Sequence, residues 1–66
     1  MLVLTARQKK MVHDLLQGVT AAETQKELDM SKAAYHQELY RTRRRNGFDN
    51  TYQLVAAYAV QAEGGV

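Results

Sequence analysis

Arg41, Arg43, Arg44 and Arg45 put four guanidinium groups within five residues, and the surrounding stretch, Ser31 to Arg45, adds Lys32 against a single acid, Glu38. Guanidinium groups grip phosphate oxygens and the acceptor edge of guanine through two parallel hydrogen bonds, so this stretch has the chemistry of a nucleic-acid contact. It sums to +4 while the rest of the chain sums to −2, out of nine Lys and Arg and seven Asp and Glu in all. The positive charge is concentrated in one segment. On a helix turning about 100° per residue, His36, Gln37, Tyr40, Arg41 and Arg44 share one arc, and Tyr35, Leu39 and Thr42 share the opposite one. One face docks on the rest of the molecule; the other carries hydrogen-bonding side chains outward.

A charge run is ordinarily a solvated helix face, but four arginines beside a capped turn favour a polyanion. Arg41, Arg43, Arg44, Arg45 and Lys32 are the candidate phosphate contacts. His36, Gln37 and Tyr40 are the candidate base readers, with Gln37 suited to adenine and Arg41 to guanine, and Ala33 is small enough for close approach or for touching a thymine methyl. Tyr40 is as readily packed along its own helix flank, and His36 is as readily a plain surface residue. Tyr35 belongs to the packing face.

Other chemistries are poorly supplied. There is no cysteine, which excludes disulfides, thiolate nucleophiles and Cys-based zinc sites and points to a reducing, cytoplasmic compartment. His13 and His36 are far apart in sequence and the acids are scattered, so no nucleophile–base pair, no paired carboxylates, no metal site and no cofactor cradle is expected. His13 and Asp14 are read as surface residues. The opening MLVLTARQKK has too short an apolar run for a signal peptide, and no long apolar run follows. A basic helix lying on an acidic membrane is disfavoured because only Tyr35 and Leu39 could insert. The expectation is a cytoplasmic protein that is not an enzyme.

Hydrophobic residues make up 45% of the chain, charged residues 24%, and proline is absent, a composition that folds and favours helix throughout. The expected class is all-α. Thr5 with Gln8 reads as a capping box opening a first helix, with Met11, Val12, Leu15 and Leu16 inward, Lys9, Lys10, His13 and Asp14 in water, and Gly18 as its stop. Thr20 with Glu23 opens a short second helix to about Leu28, which has only Ala22, Thr24 and Leu28 to bury. Asp29 and Met30 make a turn with Met30 as an apolar plug, Ser31 caps the basic helix, and Asn46-Gly47 ends it. Phe48 is a core anchor, and Asn50 with Gln53 opens a fourth helix. The expected layout is one domain over residues 1–63 with a frayed tail at 64–66.

The fourth helix is apolar nearly all round, with Leu54, Val55 and Tyr58 on one flank. Such a helix needs cover on two sides. A homodimer through Tyr52, Val55, Ala56, Ala59 and Val60 is the simplest source of the second cover.

Two helices joined by a tight turn, the second basic, form a helix-turn-helix pattern. The chain resembles the LuxR-type, or GerE-like, four-helix DNA-binding domain. Leu4, Thr5 and Arg7 match that family's opening, Gly18, Val19 and Thr20 its first turn, and Glu23, Leu28, Met30 and Ser31 its second helix and turn. Gly47, Phe48, Asn50, Leu54 and Val55 match its closing run, so the likeness spans about residues 4 to 60 without a gap. Gln8, Thr24, Gln25, Thr42, Asn46 and the Ala34-Tyr35-His36 run depart from it. The resemblance implies a bacterial or phage regulator whose third helix, about 32–45, enters the major groove of double-stranded DNA at an inverted-repeat operator. It also implies that the fourth helix dimerises. The hydroxyl of Thr20, at the start of the second helix, is a further phosphate contact. With Met1 at its head and no room for a sensing domain, the chain reads as a stand-alone regulator, a repressor in preference to an activator, with RNA polymerase or a larger regulator as a further partner. The competing expectation is a small modulator that pairs with a larger regulator through the fourth helix and blocks it without touching DNA.

Overall fold

Hydroxyl caps set where the chain turns helical. In the computed structural model, which describes residues 2–64, the oxygens of Thr5, Thr20 and Ser31 accept from the amides of Gln8, Glu23 and Ala34 at 3.1, 3.2 and 3.0 Å. They open α1 (Ala6–Leu16), α2 (Ala21–Glu27) and α3 (Lys32–Arg45). The Gln8 side chain completes the first capping box by accepting the Thr5 amide at 3.0 Å. Asn50 accepts the Gln53 amide at 2.9 Å and opens α4 (Thr51–Gly64). The helix thus includes Gly64, one residue beyond the expected boundary, while residues 65 and 66 of the expected tail lie outside the described residues. Among the described residues there is no strand, and no helix is long and apolar enough to cross a membrane.

The first three helices end in one way. The amides of Gly18 and Val19 return to Leu15 and Asp14, those of Asp29 and Met30 to Lys26 and Gln25, and those of Gly47 and Phe48 to Arg44 and Arg43. Each is a Schellman closure, which needs a left-handed residue and is commonly followed by an apolar one. Gly18 and Gly47 supply φ of 79° and 78° without a Cβ clash, and Asp29 takes φ 54° as one of the few residue types that tolerates it. The apolar residues that follow, Val19, Met30 and Phe48, are half-buried; Met30 and Phe48 pack on the core.

α1 is the hub. Its neighbours Met11 and Val12 are both fully buried but in separate clusters. Met11 packs with Tyr35 and Leu39 of α3, supported by Leu15, Ala21, Leu28 and Met30. Val12 packs with Leu54 and Tyr58 of α4, supported by Leu2, Leu4, Phe48 and Val55. The α2–α3 pair and α4 are therefore held on two flanks of one helix, in a body 31 × 22 × 18 Å. Burying each such side chain contributes roughly 1.5–3 kcal/mol. The Leu2–Leu4 segment is tied down as well. Asn46 accepts the Val3 amide at 2.7 Å and donates to the Val3 and Thr42 carbonyls at 3.2 and 2.8 Å, while Gln61 accepts the Leu2 amide at 2.9 Å.

Four of the expected burials are corrected. Asp14 is only 5% exposed, because its carboxylate accepts the Thr24 hydroxyl at 2.8 Å across the α1–α2 contact and takes the Lys10 ammonium at 3.1 Å. Leu16 is instead 38% exposed, since the chain turns away at Gln17 and Gly18 before anything covers it. Ala22 lies in solvent, and Ala21 takes the inward place. Lys10, placed in water by the sequence, is half-buried and also reaches Glu27 of α2 at 2.7 Å. Glu27, then Asp14, hold its ammonium pKa above 10.5.

The Tyr35 hydroxyl is buried without a hydrogen-bond partner, and burial, then the Asp14 charge, push its pKa above 10. An unpaired buried hydroxyl costs about 1–3 kcal/mol of desolvation. Tyr35→Phe is therefore expected to leave urea stability unchanged or raise it by about 1 kcal/mol. A clear loss in the denaturation midpoint would show that the hydroxyl has a partner in solution.

Candidate nucleic-acid interface

α3 divides as its side-chain pattern requires. Tyr35, Leu39 and Thr42 are buried, whereas His36, Gln37, Tyr40, Arg41 and Arg44 are exposed on the other side, and Lys32, Ala33 and Arg45 are exposed at its ends. Thr42, at a position where an apolar residue would pack more simply, satisfies its hydroxyl by donating to the Glu38 carbonyl at 2.7 Å. The acid of the segment is turned aside. Glu38 is half-buried and accepts from the Gln8 side chain of α1 at 2.8 Å, so the buried Gln8 both closes its cap and draws the one carboxylate toward α1.

The arginines are not equivalent. Arg43 is half-buried, and its Nη1 donates to the carbonyls of Phe48 and Asp49 at 3.3 and 2.7 Å, lacing the end of α3 to the turn that leads into α4. Its guanidinium carbon also lies 4.8 Å from the centre of the Tyr40 ring, and that of Arg44 lies 5.9 Å away, both within cation–π range. Tyr40 is thus packed along the helix flank with half its surface still exposed. Arg41 and Arg45 have no partner among the described ion pairs and hydrogen bonds. His36 sets its ring edge-on to Tyr35 at 5.5 Å.

Thr20 is exposed beside the start of α2, with its hydroxyl engaged in its own cap. Four residues, Leu28 to Ser31, connect α2 to α3. The residues expected at a dimer contact split in two. Tyr52, Ala56 and Val60 stand out on α4, with Tyr52 80% and Val60 70% exposed, whereas Val55 packs partly into the core and Ala59 is half-buried. Tyr58 is core, hydrogen-bonded to His13 at 3.0 Å. No group of three His, Asp or Glu side chains among the described residues stands close enough to hold a metal ion.

Sequence reading did not find the lacing role of Arg43. The available signal was its position one turn after Leu39, on the edge of the packing face and just ahead of the Asn46-Gly47 stop. At the level that fold and surface define, the described residues form an all-α arrangement of four helices with a basic, polar helix face that none of them covers. No family model, no curated protein and no solved structure matches it.

Proposed function

We propose that this chain is a small cytoplasmic, DNA-binding transcriptional regulator of the LuxR-type helix-turn-helix kind, docking α3 in the major groove. The observation that carries the reading is the pairing of a buried face with an exposed one on α3. The core fixes the helix through Tyr35, Leu39 and Thr42, while Gln37, Tyr40, Arg41, Arg44 and Arg45 reach outward. The short α2–α3 connection and the exposed start of α2 at Thr20 suit a phosphate contact flanking the groove. The Tyr52, Ala56 and Val60 stripe supports self-association through α4. Two copies would read two half-sites about 10 base pairs apart, and simple occupancy of a promoter would repress it.

The test is a selection of random duplexes by the purified protein, followed by titration of the enriched sequence at several salt concentrations. A dimer making six or more phosphate contacts is expected to give a log–log salt slope of about −5 or steeper, with an enriched inverted repeat and a solution mass twice that of one chain. Absence of enrichment, together with no duplex retention in dilute salt, overturns the reading. The exposed α4 stripe also fits a modulator that seizes a larger regulator. That reading calls for a heterocomplex through α4 and no retention of duplex.

A further inference from the structure

We propose that the groove between α1 and α4 is a docking site for an acidic, amphipathic segment of a partner protein. The space there is about 420 Å³ and lies largely open to solvent, a shallow groove and not an enclosed cleft. Ala6, Lys9, Lys10 and His13 line it from α1 and Tyr58 lines it from α4. The four α1 residues follow the spacing of a single helix flank, so they form one continuous wall.

The floor is apolar and already formed. Tyr58 is buried, His13 packs edge-on against its ring at 5.9 Å and 81°, and its hydroxyl is hydrogen-bonded to His13 Nδ1 at 3.0 Å. A preformed floor loses little order when it is covered. Among the described residues the rim offers one unpaired cation. Lys10 is already occupied by Asp14 and Glu27, whereas Lys9 stands exposed with no carboxylate within ion-pair distance among the described residues. The complementary ligand therefore places a large apolar side chain against Tyr58 and Ala6 and a carboxylate beside Lys9. An acidic stretch interleaved with Leu or Phe carries both on one chain. None of the lining residues belongs to α3 or is Tyr52, Ala56 or Val60, so the groove draws on neither of those surfaces. The inference stands apart from the proposed DNA reading.

The experiment is an NMR titration of the isotope-labelled chain with a short synthetic peptide in which Glu and Asp alternate with Leu and Phe. Saturable shifts confined to Ala6, Lys9, Lys10, His13 and Tyr58 are expected below about 1 mM peptide. Lys9→Glu should weaken binding about tenfold, Ala6→Trp should abolish it by filling the groove, and Lys26→Glu, a charge change on α2, should leave it unaltered. Both groove variants sit at exposed positions, and unchanged spectra elsewhere will confirm that they fold. No saturable shifts, equal binding of a peptide with Gln and Asn replacing the acids, or a self-association that Ala6→Trp removes would each overturn the proposal.

Discussion

Asp14→Ala is expected to cost about 2 kcal/mol, which for a domain of this size lowers the thermal midpoint by roughly 8–16 °C. The carboxylate is the joint between α1 and α2. It accepts the Thr24 hydroxyl at 2.8 Å and the Lys10 ammonium at 3.1 Å, and Thr24 is itself 1% exposed. Removing it leaves the Thr24 hydroxyl with only the 3.4 Å approach to the Thr20 carbonyl, a long bond for a buried donor. Beyond this joint α2 is held by the solvent-facing Lys10–Glu27 ion pair and by two partly buried apolar side chains, Ala21 and Leu28. Small domains have only a few kcal/mol in hand, so a single joint of this kind weighs heavily. Asp14→Asn separates shape from charge, because it keeps an acceptor for Thr24 and loses the ion pair with Lys10.

The same joint makes stability depend on pH with a definite sign. Burial pushes the Asp14 carboxyl upward, but the Thr24 hydroxyl and the Lys10 ammonium outweigh it and leave the pKa below 3.8. The charged form is therefore favoured by folding. Its contribution is complete above the unfolded value near 3.8 and fades as pH falls through the lower folded value. Wild type should lose stability over that acid range more steeply than Asp14→Ala does. A midpoint for Asp14→Ala within ~2 °C of wild type at neutral pH, where 1 kcal/mol moves it by several degrees, would show that the carboxylate does not join the helices.

Helix ends were the most legible part of this chain, because a cap is written in adjacent residues. Thr5 with Gln8, Ser31, and Gly18 or Gly47 with the apolar residue after each carry their whole meaning within five or six positions. The two faces of α3 were legible for a similar reason: periodicity along a single helix separates inward from outward. What escaped was anything requiring two helices at once. Asp14 looks like a solvated acid on a wheel of α1, and only the arrival of Thr24 from α2 makes it internal. Arg43 looks like one more cation until the carbonyls of Phe48 and Asp49 curl back toward it. In each case the partner lies across a turn whose geometry no local pattern specifies.

That distinction among the arginines leads to the sharpest expectation for the α3 surface. If α3 reads DNA, Arg43→Ala and Arg45→Ala must fail in different ways although each removes one positive charge. Arg43 already spends its guanidinium on the Phe48 and Asp49 carbonyls and on the Tyr40 ring. Its loss should lower the thermal midpoint, through about 1 kcal/mol of missing hydrogen bonds, and reduce the salt slope little. Arg45 is exposed, with no ion-pair or hydrogen-bond partner among the described residues. Its loss should leave the midpoint alone, weaken every duplex to a similar degree and lower the magnitude of the salt slope by about 1. Arg41→Ala and Gln37→Ala belong to a third kind. Both lie toward the outward arc, so each should cost about 1–3 kcal/mol on the selected operator and much less on random duplex, relaxing specificity at one base pair. Gel retardation over a salt series and thermal melts on the same four variants separate the three patterns. Equal losses of affinity from all four, with equal salt slopes, would mean that α3 acts as an undifferentiated patch of charge, and base recognition would have to be sought on another surface.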